Sequence, residues 1–227
     1  MRVEYDIYMM PGLGLNHRIF ENLSLNSNNV FALHWSEPQK KETLLAYVWR
    51  LAQQINKSSN PIILIGHSFG GVMVQELQKV VQAEKLILIS TITSHQELPI
   101  NLAVVKHFKL HHFTSISFMQ FSFHFWGRWH GYDSAYLKAL FLDSTGQLSS
   151  YYFNWAVKTL VNWKSTGVLC PILRIHGSKD KTFPYKKINQ AHTIEGGDHL
   201  MVHKKGAAIS ELINDFLEKK EHSFTAL

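Results

Sequence analysis

Ser68, Asp180 and His199 are of the types that nucleophilic attack on a carbonyl requires. A serine hydroxyl is a weak nucleophile at neutral pH, so a histidine within hydrogen-bond reach must take its proton during attack. A carboxylate then holds that histidine in the useful tautomer and stabilises the imidazolium that forms. Ser68 is the centre of Gly66-His67-Ser68-Phe69-Gly70, Asp180 closes His176-Gly177-Ser178-Lys179-Asp180, and His199 follows Gly196-Gly197-Asp198. The oxyanion formed by the attack needs donors as well. The candidates are the main-chain N–H of Phe69, directly after the serine, and that of Leu13 in the turn Pro11-Gly12-Leu13-Gly14. Other readings of these positions are open. His192 and His203 are the alternative bases, and Asp198 adjoins His199 but points poorly for orienting its ring.

The elements around these residues place them consistently. Pro61-Ile62-Ile63-Leu64-Ile65 is short and β-branched, as in a strand buried on both faces. After Gly71, apolar residues recur at helical spacing, so Ser68 sits where a strand turns sharply into a helix. Aliphatic strands are expected at 3–9, 29–34, 61–66, 85–90, 170–176 and 191–194. Between them come a short helix around 17–23, helices at 40–57 and 69–82, one after Pro184, and a last one at 205–219. This alternation predicts a mostly parallel sheet with helices on both faces. Each candidate residue then lies just past the end of a strand, where such sheets place their ligands. The alternation breaks between Ser94 and Ser165, where no aliphatic strand occurs and aromatic residues crowd, from Phe108 and Phe113 to Trp155 and Trp163.

With Pro11-Gly12-Leu13-Gly14, Gly66-His67-Ser68-Phe69-Gly70-Gly71, His176-Gly177-Ser178-Lys179-Asp180 and Gly197-Asp198-His199 in this order, the chain resembles the α/β-hydrolase superfamily from about Val3 to about Phe216. The resemblance implies an α/β-hydrolase fold, with 94–165 as a helical cap inserted after the strand at 85–90 into a single domain of residues 1–227. It implies a Ser68–His199–Asp180 triad with Leu13 and Phe69 as the oxyanion donors. Some relatives place the acid after the preceding strand, which makes Glu97 the alternative to Asp180. Many relatives have His-Gly before the oxyanion residue, whereas this chain has Pro11-Gly12, and many carry two leading strands for which there is little room here. A dehalogenase branch would need an aspartate at the position of Ser68. The expected activity is hydrolysis of a small carboxylic ester or thioester through an acyl-enzyme. A C–C bond hydrolase or lyase on the same triad, or a ligand-binding or signalling protein on a hydrolase scaffold, is the alternative. The superfamily hosts many chemistries and does not supply the substrate.

Composition narrows the setting. The chain has 227 residues, of which 45% are hydrophobic and 18% charged, as expected of one globular domain. No apolar stretch is long enough to span a membrane, and the N-terminus does not read as a secretory signal. A single cysteine, Cys170, leaves no internal disulfide and suits a core thiol in a cytoplasmic protein. The net charge of +6 comes without a basic helix or an aromatic-basic motif, so nucleic acid is not an expected partner. Lys179, Lys181, Lys186, Lys187, Lys204 and Lys205 cluster after the Asp180 and His199 positions and would favour an anionic substrate if they ringed the pocket mouth. Histidines 107, 111, 112, 124 and 130 raise a metal site, but no metal-binding motif accompanies them, and the mechanism needs neither metal nor cofactor. The expected ligand is a small molecule with an apolar acyl or aryl part, accommodated by a minority of the aromatic residues.

Overall fold

The computed structural model describes residues 4–56, 58–107, 116–146 and 148–219. Six strands form one sheet: β1 (Asp6–Met10), β2 (Asn29–Ala32), β3 (Ile62–His67), β4 (Lys85–Ile89), β5 (Ile172–Gly177) and β6 (His192–Ile194). Their order is β2-β1-β3-β4-β5-β6 and every pair is parallel. β3 and β4, at the centre, are buried along almost their whole length, which is why they read as continuous aliphatic runs rather than alternating ones.

The two-residue period of a strand divides those runs between the faces. Leu64, Leu86 and Leu88 pack with Tyr47, Val48, Val72 and Leu77, from helices α1 (Leu44–Ala52) and α2 (Phe69–Val81). Ile63, Ile65, Ile87 and Ile89 pack on the opposite side with Ile209, Ile213 and Leu217. These come from the last helix, which follows one turn, α7 (Met201–Lys204), and runs Gly206–Glu218 as α8. Helices α3 (Ile100–His107), α4 (Ile116–Trp126), α5 (Ala135–Gly146) and α6 (Ser150–Asn162) fill the interval between β4 and β5. They do not form one detached layer. Tyr152, Trp155 and Leu160 of α6 join the α1–α2 side of the core, whereas Phe123 of α4 and Leu137, Leu140 and Phe141 of α5 join the α8 side.

The structure corrects several expected elements. The helix expected after Pro184 is a single 3₁₀ turn, Tyr185–Lys187, because the chain must reach β6 at His192 within a few residues. The helix expected around 17–23 is likewise a 3₁₀ turn, His17–Phe20. The helix expected at 40–57 is shorter, Leu44–Ala52. Thr43 caps it by accepting the Ala46 N–H, and Lys41 lies in the left-handed region at φ 62°, which a helix cannot include. The aromatic residues of 94–165 are only partly buried: Phe123, Phe153 and Trp163 are inside, whereas Phe121 and Phe125 are 76% and 85% exposed. Phe108 and Phe113 lie outside the described residues.

The contact that fixes the site is between the start of α2 and the end of β1. A Cβ on Gly70 would stand 2.3 Å from the Met10 carbonyl oxygen and 2.4 Å from that of Pro11. Both obstacles are backbone, so they cannot swing away. We therefore expect Gly70→Ala to force α2 off the Pro11 turn and to cost roughly 1–3 kcal/mol, the usual range for overpacking. Urea unfolding of the two proteins measures it.

Candidate active site

Ser68 stands at the crest of the β3–α2 turn with φ 54° and ψ −125°, where side chains other than glycine are seldom found. Three hydrogen bonds hold that geometry. The Ser68 N–H donates to the Ile89 carbonyl (3.0 Å), while its own carbonyl accepts from Thr91 Oγ1 (2.6 Å) and from the Gly71 N–H (2.9 Å). Such a conformation costs about 1–3 kcal/mol. Three bonds at about 0.5–1.5 kcal/mol each offset it.

The three candidate residues meet. His199 Nε2 lies 2.8 Å from Ser68 Oγ, and His199 Nδ1 lies 2.8 Å from Asp180 Oδ2. A carboxylate only accepts, so Nδ1 carries the proton and Nε2 accepts from the serine hydroxyl. The Asp180 Oδ1 atom accepts the main-chain N–H groups of Thr182 (2.8 Å) and Phe183 (2.9 Å). Burial alone would raise the Asp180 carboxyl, but the facing His199 ring and its hydrogen bond, the nearby His176 and the Phe183 N–H outweigh it and hold it below the usual carboxylate range. Gly12 lies against the serine: a Cβ there would be 2.9 Å from Ser68 Cβ and 3.4 Å from its Oγ. The next residue is Leu13, and neither its N–H nor that of Phe69 has an acceptor among the described residues.

The alternatives fall elsewhere. Glu97 is buried against Arg174, with its oxygens 2.9 and 3.0 Å from the guanidinium, and also accepts the Thr93 N–H, so it braces the chain after β4 against β5. Asp198 receives Lys204 Nζ, which also reaches Asp133. His203 stacks on Tyr136, and His192 is exposed on β6. Cys170 is half-buried at the rim of the core, 3.9 Å from Gln78 Oε1. Three of the clustered lysines are engaged: Lys181 lies over the Trp129 ring, Lys187 donates to the Leu98 carbonyl, and Lys204 makes the bridge just described. Among the described residues no three His, Cys, Asp or Glu side chains gather as metal ligands. His111 and His112 lie outside the described residues, and His130 pairs with Thr182 Oγ1 at 2.8 Å.

Two buried histidines were not singled out by sequence reasoning. His176 donates from Nε2 to the Phe183 carbonyl (2.8 Å) and closes the loop that carries Asp180. His67, inside the serine motif itself, has Nε2 2.8 Å from the carbonyl oxygen of His199. That nitrogen must be the protonated one, since a carbonyl only accepts. His67 therefore holds the main chain of His199 while Asp180 holds its ring. The signal in the sequence is a histidine at the end of a mostly aliphatic strand, IILIGH for His67 and ILRIHG for His176.

A sequence model of the alpha/beta hydrolase family matches residues 9–212, and the chain belongs to that family. The architecture is shared with solved structures. One is a carboxylesterase of the thaumarchaeon Nitrososphaera gargenis, 18% identical with a TM-score of 0.67, covering 95% of this chain and 90% of that one. A lipase-esterase related protein of Clostridium acetobutylicum is 17% identical with a TM-score of 0.64, covering 95% of both chains. YbtT, a type II thioesterase of the yersiniabactin biosynthetic pathway, is 15% identical with a TM-score of 0.61, covering 93% and 92%. At such identities the likeness is one of fold. A comparison with curated protein sequences gives no match. No helix among the described residues is long and apolar enough to cross a membrane.

Burial drives the His67 pKa down to about 3, so its ring is neutral in the folded protein at any ordinary pH. The unfolded chain takes up that proton first, near the ordinary histidine value of about 6.5, so stability falls as the pH drops from there towards 3. His67→Gln keeps an N–H in reach of the His199 carbonyl but gains no proton. Between pH 6 and 5 the wild type is expected to lose about 1.2 kcal/mol more than the variant. Urea titrations at both pH values check this, and parallel slopes would show that the ring is not held neutral.

Proposed function

We propose that the protein is a serine hydrolase that cleaves a small carboxylic ester or thioester through an acyl-enzyme. The observation that carries this reading is the line Asp180–His199–Ser68, with both links at 2.8 Å, ending on a serine held at φ 54°. Esterases and a thioesterase among the proteins that share the fold support it.

In this reading Ser68 Oγ attacks the carbonyl carbon as its proton passes to His199 Nε2. Asp180 stabilises the resulting imidazolium through Nδ1–H. The tetrahedral oxyanion takes the N–H groups of Leu13 and Phe69, each worth about 3–4 kcal/mol in comparable sites. Collapse expels the alcohol or thiol, which leaves with the proton from His199 Nε2, and the acyl group stays on Ser68. Water, deprotonated by His199, repeats the attack and frees the acid. No step requires a metal or cofactor.

Residues 94–165 act as the cap in this proposal. The side chain of Leu13 packs with Ile116 of α4 and with Phe153 and Val157 of α6, so apolar surface adjoins the oxyanion turn. That surface suits an apolar acyl or aryl group. A small-molecule substrate and a cytoplasmic location complete the reading.

Intact-mass labelling with a fluorophosphonate probe tests it. Wild type should take a single adduct, Ser68→Ala none, and His199→Ala should react at least ~10³-fold more slowly. An adduct on Ser68→Ala, or none on folded wild type, defeats the proposal and favours a ligand-binding protein. Asp180→Asn should lower kcat on p-nitrophenyl butyrate by about 10³–10⁴-fold, because the amide stabilises the wrong tautomer. The same assay with a butyryl thioester ranks the two leaving groups.

A further inference from the structure

Trp35 lies in the loop after β2, outside every sequence motif of the site, yet it touches both elements that would bind an oxyanion. Its ring stacks on that of Phe69, with centroids 5.3 Å apart and planes 8° from parallel. Its indole Nε1–H donates to the Gly12 carbonyl oxygen at 3.2 Å. The same carbonyl accepts the Leu15 N–H at 3.1 Å, which closes the turn.

The consequence follows from peptide geometry. The Gly12 carbonyl and the Leu13 N–H belong to one planar trans peptide unit, and in such a unit the C=O and N–H point in opposite directions. A donor that fixes the carbonyl therefore fixes the N–H on the other side. Gly12 lies so close to Ser68 that a Cβ on it would stand 2.9 Å from the serine Cβ, so the orientation of this peptide is felt at the serine. Without a partner its carbonyl could swing towards the serine and present a negative dipole where the oxyanion must form. We infer that Trp35 is a positioning residue: its indole N–H holds the Gly12 carbonyl away from Ser68 and aims the Leu13 N–H at the carbonyl oxygen of the bound ester. The inference rests on the serine hydrolase reading. Stacking on Phe69 adds a second function, keeping the indole in register with the first residue of α2 and hence with the other donor. A tilted contact with Tyr47 and an edge contact with Tyr152 fix the far side of the indole.

Trp35→Phe keeps an aromatic ring against Phe69 and removes the donor. Benzothienylalanine, placed at position 35 by site-specific incorporation, keeps the ring size as well and replaces N–H by sulfur. Both should lower kcat on p-nitrophenyl butyrate about tenfold, less than the 10²–10³ expected for outright loss of an oxyanion donor, because the Leu15 N–H still holds the carbonyl. KM should stay within about twofold, and the affinity for a trifluoromethyl ketone should fall by the same factor as kcat, since its tetrahedral adduct places an oxyanion in the same site. Thermal unfolding of the benzothienylalanine protein separates this from a fold defect, and its melting temperature should match wild type. A labelled, active wild type whose two variants keep wild-type kcat and ketone affinity overturns the inference alone. A rise in KM with kcat unchanged overturns it too, by making Trp35 a substrate contact. A folded wild type that takes no fluorophosphonate overturns this inference and the hydrolase reading together.

Discussion

The backbone of Ser68 is the constraint on which the rest of the site depends. A residue at φ 54° between a strand and a helix lifts its side chain above the sheet, but only if strand and helix can close together beneath it. A Cβ on Gly66 would meet Val74 Cγ2 at 2.5 Å and Gly71 Cα at 2.6 Å. Gly70 meets the end of β1 as closely. The glycines are thus required by the approach of three elements, and the serine is lifted because the helix has nowhere else to go. That arrangement also leaves the first N–H groups of α2 without helical partners beside the serine. A serine hydroxyl and a set of main-chain N–H groups therefore come from one turn.

Electrostatics then has to work inside a nearly dry site. Asp180, His67 and His176 are almost fully buried. A buried carboxylate survives only if its charge is answered, and Asp180 is answered by two main-chain N–H groups on one oxygen and His199 on the other. The two neighbouring histidines solve the same problem differently. Burial is the main cause that lowers the pKa of each, and each serves as an N–H donor to a carbonyl, that of His199 and that of Phe183. Of three histidines within one small volume, the one facing both the serine and the carboxylate is His199, so the roles are divided by partners and not by residue type.

The fold and the meeting of the three residues were legible because they rest on local signals. Short aliphatic runs located the six strands, period-3.6 patterning located the helix after the serine turn and the last helix, and glycine spacing marked the serine turn. What sequence could not supply depended on distance in the chain. Trp35 and Gly12 are 23 residues apart, and His67 and His199 are 132 apart. The length of α1 was misjudged because its apolar spacing continues past the point where Thr43 and Lys41 stop the helix. The turn at Tyr185–Lys187 was misjudged because composition does not reveal how far the chain must travel before β6. Glu97 could not be set aside from sequence, since its partner Arg174 lies 77 residues further on, in β5.

The supports of the site share a feature that bears on how it can vary. Trp35 acts on the Gly12 carbonyl, His67 on the His199 carbonyl, His176 on the Phe183 carbonyl, and Thr91 on that of Ser68. Each is a side chain that grips main chain. A grip of this kind acts on the backbone, as Trp35 does on the Gly12 carbonyl, and leaves the side chain of the neighbouring Leu13 to other contacts. Its side chain packs with Ile116, Phe153 and Val157 and so shapes the surface beside the serine. At Leu13 the main chain and the side chain are thus positioned by different contacts.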